Sequence, residues 1–121
     1  MPASYRIDHE RRVVLFLLEG TVTDDELGHN LSQVMADPHF HPEMRQLVDA
    51  RRITSVEATS AGIREMARSL PFTRESRMAL VVSTDAAFGV ARMFQNLVDH
   101  SGEQMLVVRD ICEATRWLGL E

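Results

Sequence analysis

His39-Phe40-His41, followed by Glu43, is the densest group of metal-ligand residue types in the chain. In an extended segment His-x-His places both imidazoles on one side, and a nearby carboxylate could add a third ligand to a zinc ion. No fourth candidate stands close by. Pro38 and Pro42 read instead as stiffeners of a connector that Phe40 pins to the core. The expectation is no bound metal and no cofactor, with His39 and His41 the candidates for ligands if there is one.

Thr59 and Ser60 precede a helical pattern, where a hydroxyl satisfies an orphan backbone N–H as an N-cap. Their other reading is phosphorylation, which would add about −1.5 to −2 charge beside Glu57 and alter partner binding. Cys112 falls in the first turn of the last helix, where the dipole could lower a thiol pKa. No histidine is near it in sequence, and a small apolar slot suits it better. Asp49, Asp85 and Asp110 each follow a strand and lie on the rim where parallel sheets bind ligands. Asp85 and Asp110 read as helix caps, and Asp49, followed by Arg51 and Arg52, reads as half of a salt bridge. No Ser elbow, Gly-rich phosphate loop or HExxH pattern occurs, and no catalytic residue is assigned.

Composition removes further classes. All thirteen basic residues are arginine and none is lysine, so Schiff-base chemistry, a Walker A loop and the lysine of a response-regulator receiver are excluded. A net charge of −5 with scattered arginines argues against nucleic-acid binding. A lone Cys112 permits no internal disulfide. The longest apolar run, Val13–Leu18, is far short of the ~20 residues that span a bilayer, and MPASYRIDHERR has no apolar signal core. The expectation is one cytoplasmic domain over residues 1–121, large enough to bury a core without staples.

The elements that must position these groups follow from hydrophobic period. Residues 4–9 alternate as an edge strand, and Val13–Leu18, continuously apolar, reads as a central strand forming a hairpin with it. Thr23 and Glu26 form a capping box for a helix with Leu27, Leu31, Val34 and Met35 on one face, ended by Asp37-Pro38. Gln46–Ala50 is a short strand, and Arg51–Ala58 reads as a connection. The second helix presents Ile63, Met66, Ala67 and Leu70, and Pro71 stops it. A strand over Arg77–Val82 leads to a third helix, capped by Asp85 and running to about His100, closed by Ser101-Gly102. Met105–Val108 is the fifth strand. Asp110 caps the last helix, Ile111, Ala114, Trp117 and Leu118 face inward, and Gly119 is the C-cap. The fold class is therefore α/β: a mixed, mostly parallel five-stranded sheet with four helices, in the order β-β-α-β-α-β-α-β-α.

The third helix carries more apolar surface than one packing face needs. Ala87, Val90, Ala91, Phe94 and Leu97 or Val98 form the sheet-facing stripe, and Phe88 and Met93 fall outside it. Gly89, inside the helix, costs about 0.5–1 kcal/mol relative to alanine and suggests close approach of something. Phe88, Gly89, Arg92 and Met93 are thus the candidate interaction or ligand surface. The alternative is that Phe88 and Met93 simply pack beneath flanking elements.

With these residues the chain resembles the SpoIIAA-like family, related to the STAS domains of anti-sigma-factor antagonists and sulfate transporters and grouped with lipid-transfer CRAL-TRIO-like modules. The resemblance rests on Tyr5-Arg6-Ile7, on Ala36-Asp37-Pro38 with Phe40 and Pro42, and on Leu47-Val48-Asp49. It continues through Ala87-Phe88-Gly89-x-Ala91-Arg92-Met93-Phe94 and Val107-x-Arg109-Asp110 with Glu113-Ala114 and Trp117-Leu118. It implies a bacterial, non-enzymatic regulatory domain that binds a protein partner or a second copy of itself. It also implies that Thr59 or Ser60 stands nearest the residue phosphorylated in the antagonists, although Glu57, Ala58 and Gly62 depart from that motif. A lipid or other apolar small molecule is the alternative ligand, and an unrecognised enzyme the third reading. An exposed Phe88–Met93 patch of several hundred Å² would favour the first reading, and a closed apolar cavity of at least ~300 Å³ the second.

Overall fold

The computed structural model describes residues 3–73, 75–98 and 104–120. They form β1 (Ala3–Asp8), β2 (Val13–Val22), α1 (Asp24–Ala36), β3 (Arg45–Val56), α2 (Ser60–Ser69), β4 (Met78–Val82), α3 (Asp85–Val98), β5 (Met105–Val108) and α4 (Ile111–Trp117). The sheet order is β1-β2-β3-β4-β5, with β1 antiparallel to β2 and every other pair parallel. This is the α/β order that the hydrophobic pattern predicts.

Each of α1, α2 and α3 carries the chain one strand along the sheet, so the constant hand of parallel crossovers puts them on the same face. The period-2 alternation of the strands sorts the core accordingly. Val14, Phe16, Val48, Ala50, Met78, Val82, Met105 and Val107 meet α1–α3, whereas Val13, Leu47, Ala79 and Val81 meet Ala114 and Leu118 of α4.

Cys112, expected in a small apolar slot, is exposed, and three expectations about the elements are corrected. The stretch from Arg51, expected as a connection, continues β3 to Val56. It pairs with β2 alone, through Val22↔Val56, while β4 leaves the ladder at Ala50↔Val82. Ile53 is the buried side chain there; Arg51, Arg52, Thr54 and Ser55 are exposed, so the extension carries no apolar run to announce it. The same ribbon lengthens β2 past Leu18, with register shifts near Glu19 and at Gly20, where φ is 66°. The second correction is Asp85, which opens α3 without capping it: the Thr84 hydroxyl accepts from the Ala87 N–H at 3.1 Å. The third is the inner face of α1, which holds Asn30 and Val34; Met35 is 52% exposed.

Other caps are as the sequence indicates. Thr23 accepts from the Glu26 N–H at 3.3 Å and Asp110 from the Cys112 N–H at 2.8 Å. Gly119 (φ 72°) ends α4 in a Schellman motif, with Leu120 N–H bonded to the Thr115 carbonyl and Gly119 N–H to that of Arg116. The predicted close of the third helix at His100, Ser101 and Gly102 lies outside the described residues.

Candidate functional site

The start of α2 is built by two helices. Thr59 is its N-cap: Oγ1 accepts from the Gly62 N–H at 2.9 Å. The same hydroxyl donates to Asp24 Oδ2 at 2.6 Å, and the Thr59 N–H donates to Asp24 Oδ1 at 3.0 Å. Asp24, the first residue of α1, therefore sets its carboxylate at the positive end of α2, the position an added anion would seek. A Cβ at Gly62 would lie 2.2 Å from Asp24 Cγ, so the glycine makes room for that carboxylate. Ser60 is exposed in the first turn. Sequence reasoning named Thr59 and Ser60 but missed Asp24, which reads locally as ordinary first-turn acid.

On α3, Ala87, Ala91 and Phe94 are buried against the sheet. Phe88 and Met93 are half-buried and pack against the same core, while Gly89 and Arg92 are exposed. The Arg109 guanidinium lies 5.2 Å from the Phe88 ring centroid and pairs with Asp85, roofing the ring from the β5–α4 turn. Among the described residues nothing lies within 4 Å of a Cβ placed at Gly89, so none of them requires the glycine.

The His39–His41 connector is held by its neighbours. Phe40 packs edge-on against Phe72 at 5.3 Å, the Asp37 carboxylate accepts from the His39 N–H at 2.9 Å, and Glu43 pairs with Arg12 at 2.8 Å. Among the described residues no three His, Cys, Asp or Glu side chains converge on a metal-sized point. Tyr5 Oη donates to Asp37 at 2.9 Å, and the His39 N–H and this hydroxyl together hold the Asp37 carboxyl below the usual carboxylate range. Burial first, and Asp37 second, push Tyr5 up. Asp49 makes the predicted salt bridge: Arg51 donates Nε and Nη2 at 2.9 Å each and holds its carboxyl below the usual range.

Beneath α1, α2 and α3 lies an apolar cavity of about 140 Å³. Leu27 and Leu31 of α1, Ile63 and Met66 of α2, and Val90 and Phe94 of α3 line it over the sheet. Its polar wall residues are Asn30 and Gln46. Gln46 is structurally engaged, its Nε2 donating to the buried Ser76 hydroxyl at 3.1 Å. Asn30 is 4% exposed, and its Oδ1 has no hydrogen-bond partner among the described residues, an arrangement that costs about 1–3 kcal/mol. Sequence reasoning missed Asn30 because a polar residue on a helix normally marks the solvent side; its place three residues after Leu27 and four before Val34 was the available signal.

Three helices over one face of a mostly parallel sheet, with a fourth on the other, define the class: the fold is SpoIIAA-like. An uncharacterized protein of the DUF3478 family with a SpoIIAA-like fold, from Shewanella loihica PV-4, is similar to this chain in structure. The match has a TM-score of 0.60 and 14% identity, covering 96% of this chain and 91% of that one. No family model and no curated protein matches the sequence. No helix among the described residues is long and apolar enough to cross a membrane.

Proposed function

We propose that this chain is a non-enzymatic binding domain whose ligand is a small apolar molecule held between the sheet and α1–α3. The cavity is the observation that carries this reading. Its volume, about 140 Å³, is close to that of buried apolar cavities that admit a single aromatic ring. It is about half of the ~300 Å³ at which ordinary ligand pockets begin, so the reading favours a compact occupant over a long lipid chain. Half-burial of Phe88 and Met93 gives the partner-binding reading less support, because the apolar surplus of α3 is largely used inside the chain.

Native mass spectrometry of freshly purified protein, and titration with benzene followed by methyl NMR, test it. Saturable shifts at Ile63, Val90 and Leu31, abolished by the cavity-filling Ala91→Leu, are expected. Benzene binding that survives Ala91→Leu, or no binding with no retained molecule, rejects the reading.

A further inference from the structure

One wall group has no role in an apolar cavity. Asn30 sits at the middle of the inner face of α1, buried, with no partner for its Oδ1 among the described residues. Gln46, the other polar wall residue, has a partner in Ser76. A leucine at position 30 would fill similar space with no unmet hydrogen bond, so the carboxamide is unexplained by packing alone.

The chemistry of the missing partner can be read from the wall. A carboxamide turned by half a rotation exchanges its oxygen and nitrogen, so the site offers either an acceptor or a donor. A hydroxyl complements both. An anion fits poorly: apart from Asn30 and Gln46 the wall is apolar, and no cationic side chain among the described residues lines it. The cavity volume of about 140 Å³ limits the occupant to roughly one ring or a short branched chain.

We infer that the cavity selects a compact, uncharged molecule bearing one hydroxyl, of the phenol or short-alcohol class, and that Asn30 is the residue that sets this specificity. The inference rests on the binding reading above and adds the ligand's chemistry to it.

Calorimetric titration with phenol and toluene separates the two claims, since the probes share a shape and differ by hydroxyl against methyl. A purely apolar pocket prefers toluene, the less well hydrated molecule. The wild-type protein is expected to prefer phenol. Asn30→Leu is expected to bind toluene and to lower the phenol-to-toluene affinity ratio by about tenfold. Toluene preferred by the wild type, or an unchanged ratio in the variant, overturns the role of Asn30 and leaves the binding reading intact. Benzoate bound more tightly than phenol overturns the uncharged class. Saturable binding of neither phenol nor toluene to the wild type overturns both the inference and the reading beneath it.

Discussion

The carboxylate of Asp24 holds the N-cap residue of a helix to which it does not belong. It opens α1, yet both its oxygens accept hydrogen bonds from Thr59 at the start of α2, at 3.0 and 2.6 Å. Two helix N-termini thus share one anion, and α1 is tied to α2 above the cavity that both line.

This tie makes Gly62 conditional. Glycine to alanine inside a helix ordinarily gains about 0.5–1 kcal/mol. Gly62→Ala is expected to lose about 1–2 kcal/mol, since the new methyl collides with the Asp24 carboxyl. In an Asp24→Ala background the same substitution should turn stabilising. A urea double-mutant cycle measures the coupling, and additive effects would remove the tie.

Thr59 and Ser60 should answer a negative charge in opposite ways. Thr59→Asp sets a carboxylate against Asp24 and replaces a donor by an acceptor, at a loss of about 1–2 kcal/mol. Ser60→Asp stands in the first turn of α2, where the dipole favours it by about 0.3–1 kcal/mol. Denaturation midpoints of the two variants check this, and equal midpoints would contradict it.

Stability should fall at both ends of the pH scale. Asp37 and Asp49 have depressed folded-state pKa values, so their contribution is complete at neutral pH and is lost as pH falls through about 4 and below. Tyr5 is raised, so its contribution holds below about pH 10 and is lost as pH climbs past it. Tyr5→Phe should flatten the alkaline limb and leave the Asp49 share of the acid limb in place. Thermal melts across pH test both limbs, and an unaltered alkaline limb would contradict the Tyr5 assignment.

Asn30→Leu should raise stability by about 1 kcal/mol, because a buried carboxamide oxygen with no partner among the described residues gives way to apolar volume. For a chain of this length that is roughly 4 °C in melting temperature. A lower melting temperature would mean that the carboxamide is bonded in the folded protein.

Much of the fold was legible because local chemistry and tertiary need coincide. The apolar run Val13–Leu18 marks a strand covered on both faces, and Thr23, Thr59 and Asp110 mark helix starts because orphan N–H groups there need acceptors. The extension of β3 was not legible. Residues 51–56 bury Ile53 alone, and their strand state comes from hydrogen bonds to β2, which are remote in sequence. Thr84 and Asp85 are adjacent and both are good caps, and only the backbone path decides which one faces the open N–H groups.

By itself the sequence determined the order of strands and helices, the absence of lysine chemistry and the sheet-facing stripe of α3, since period and composition are properties of the chain. Tertiary structure alone decided that Asp24 reaches Thr59 across 35 residues, that Gly62 yields it space, and that Asn30 faces an apolar cavity. These are meetings between elements. Periodicity gives the face a residue occupies, and only the packing of α1 against α2 and the sheet gives what that face meets.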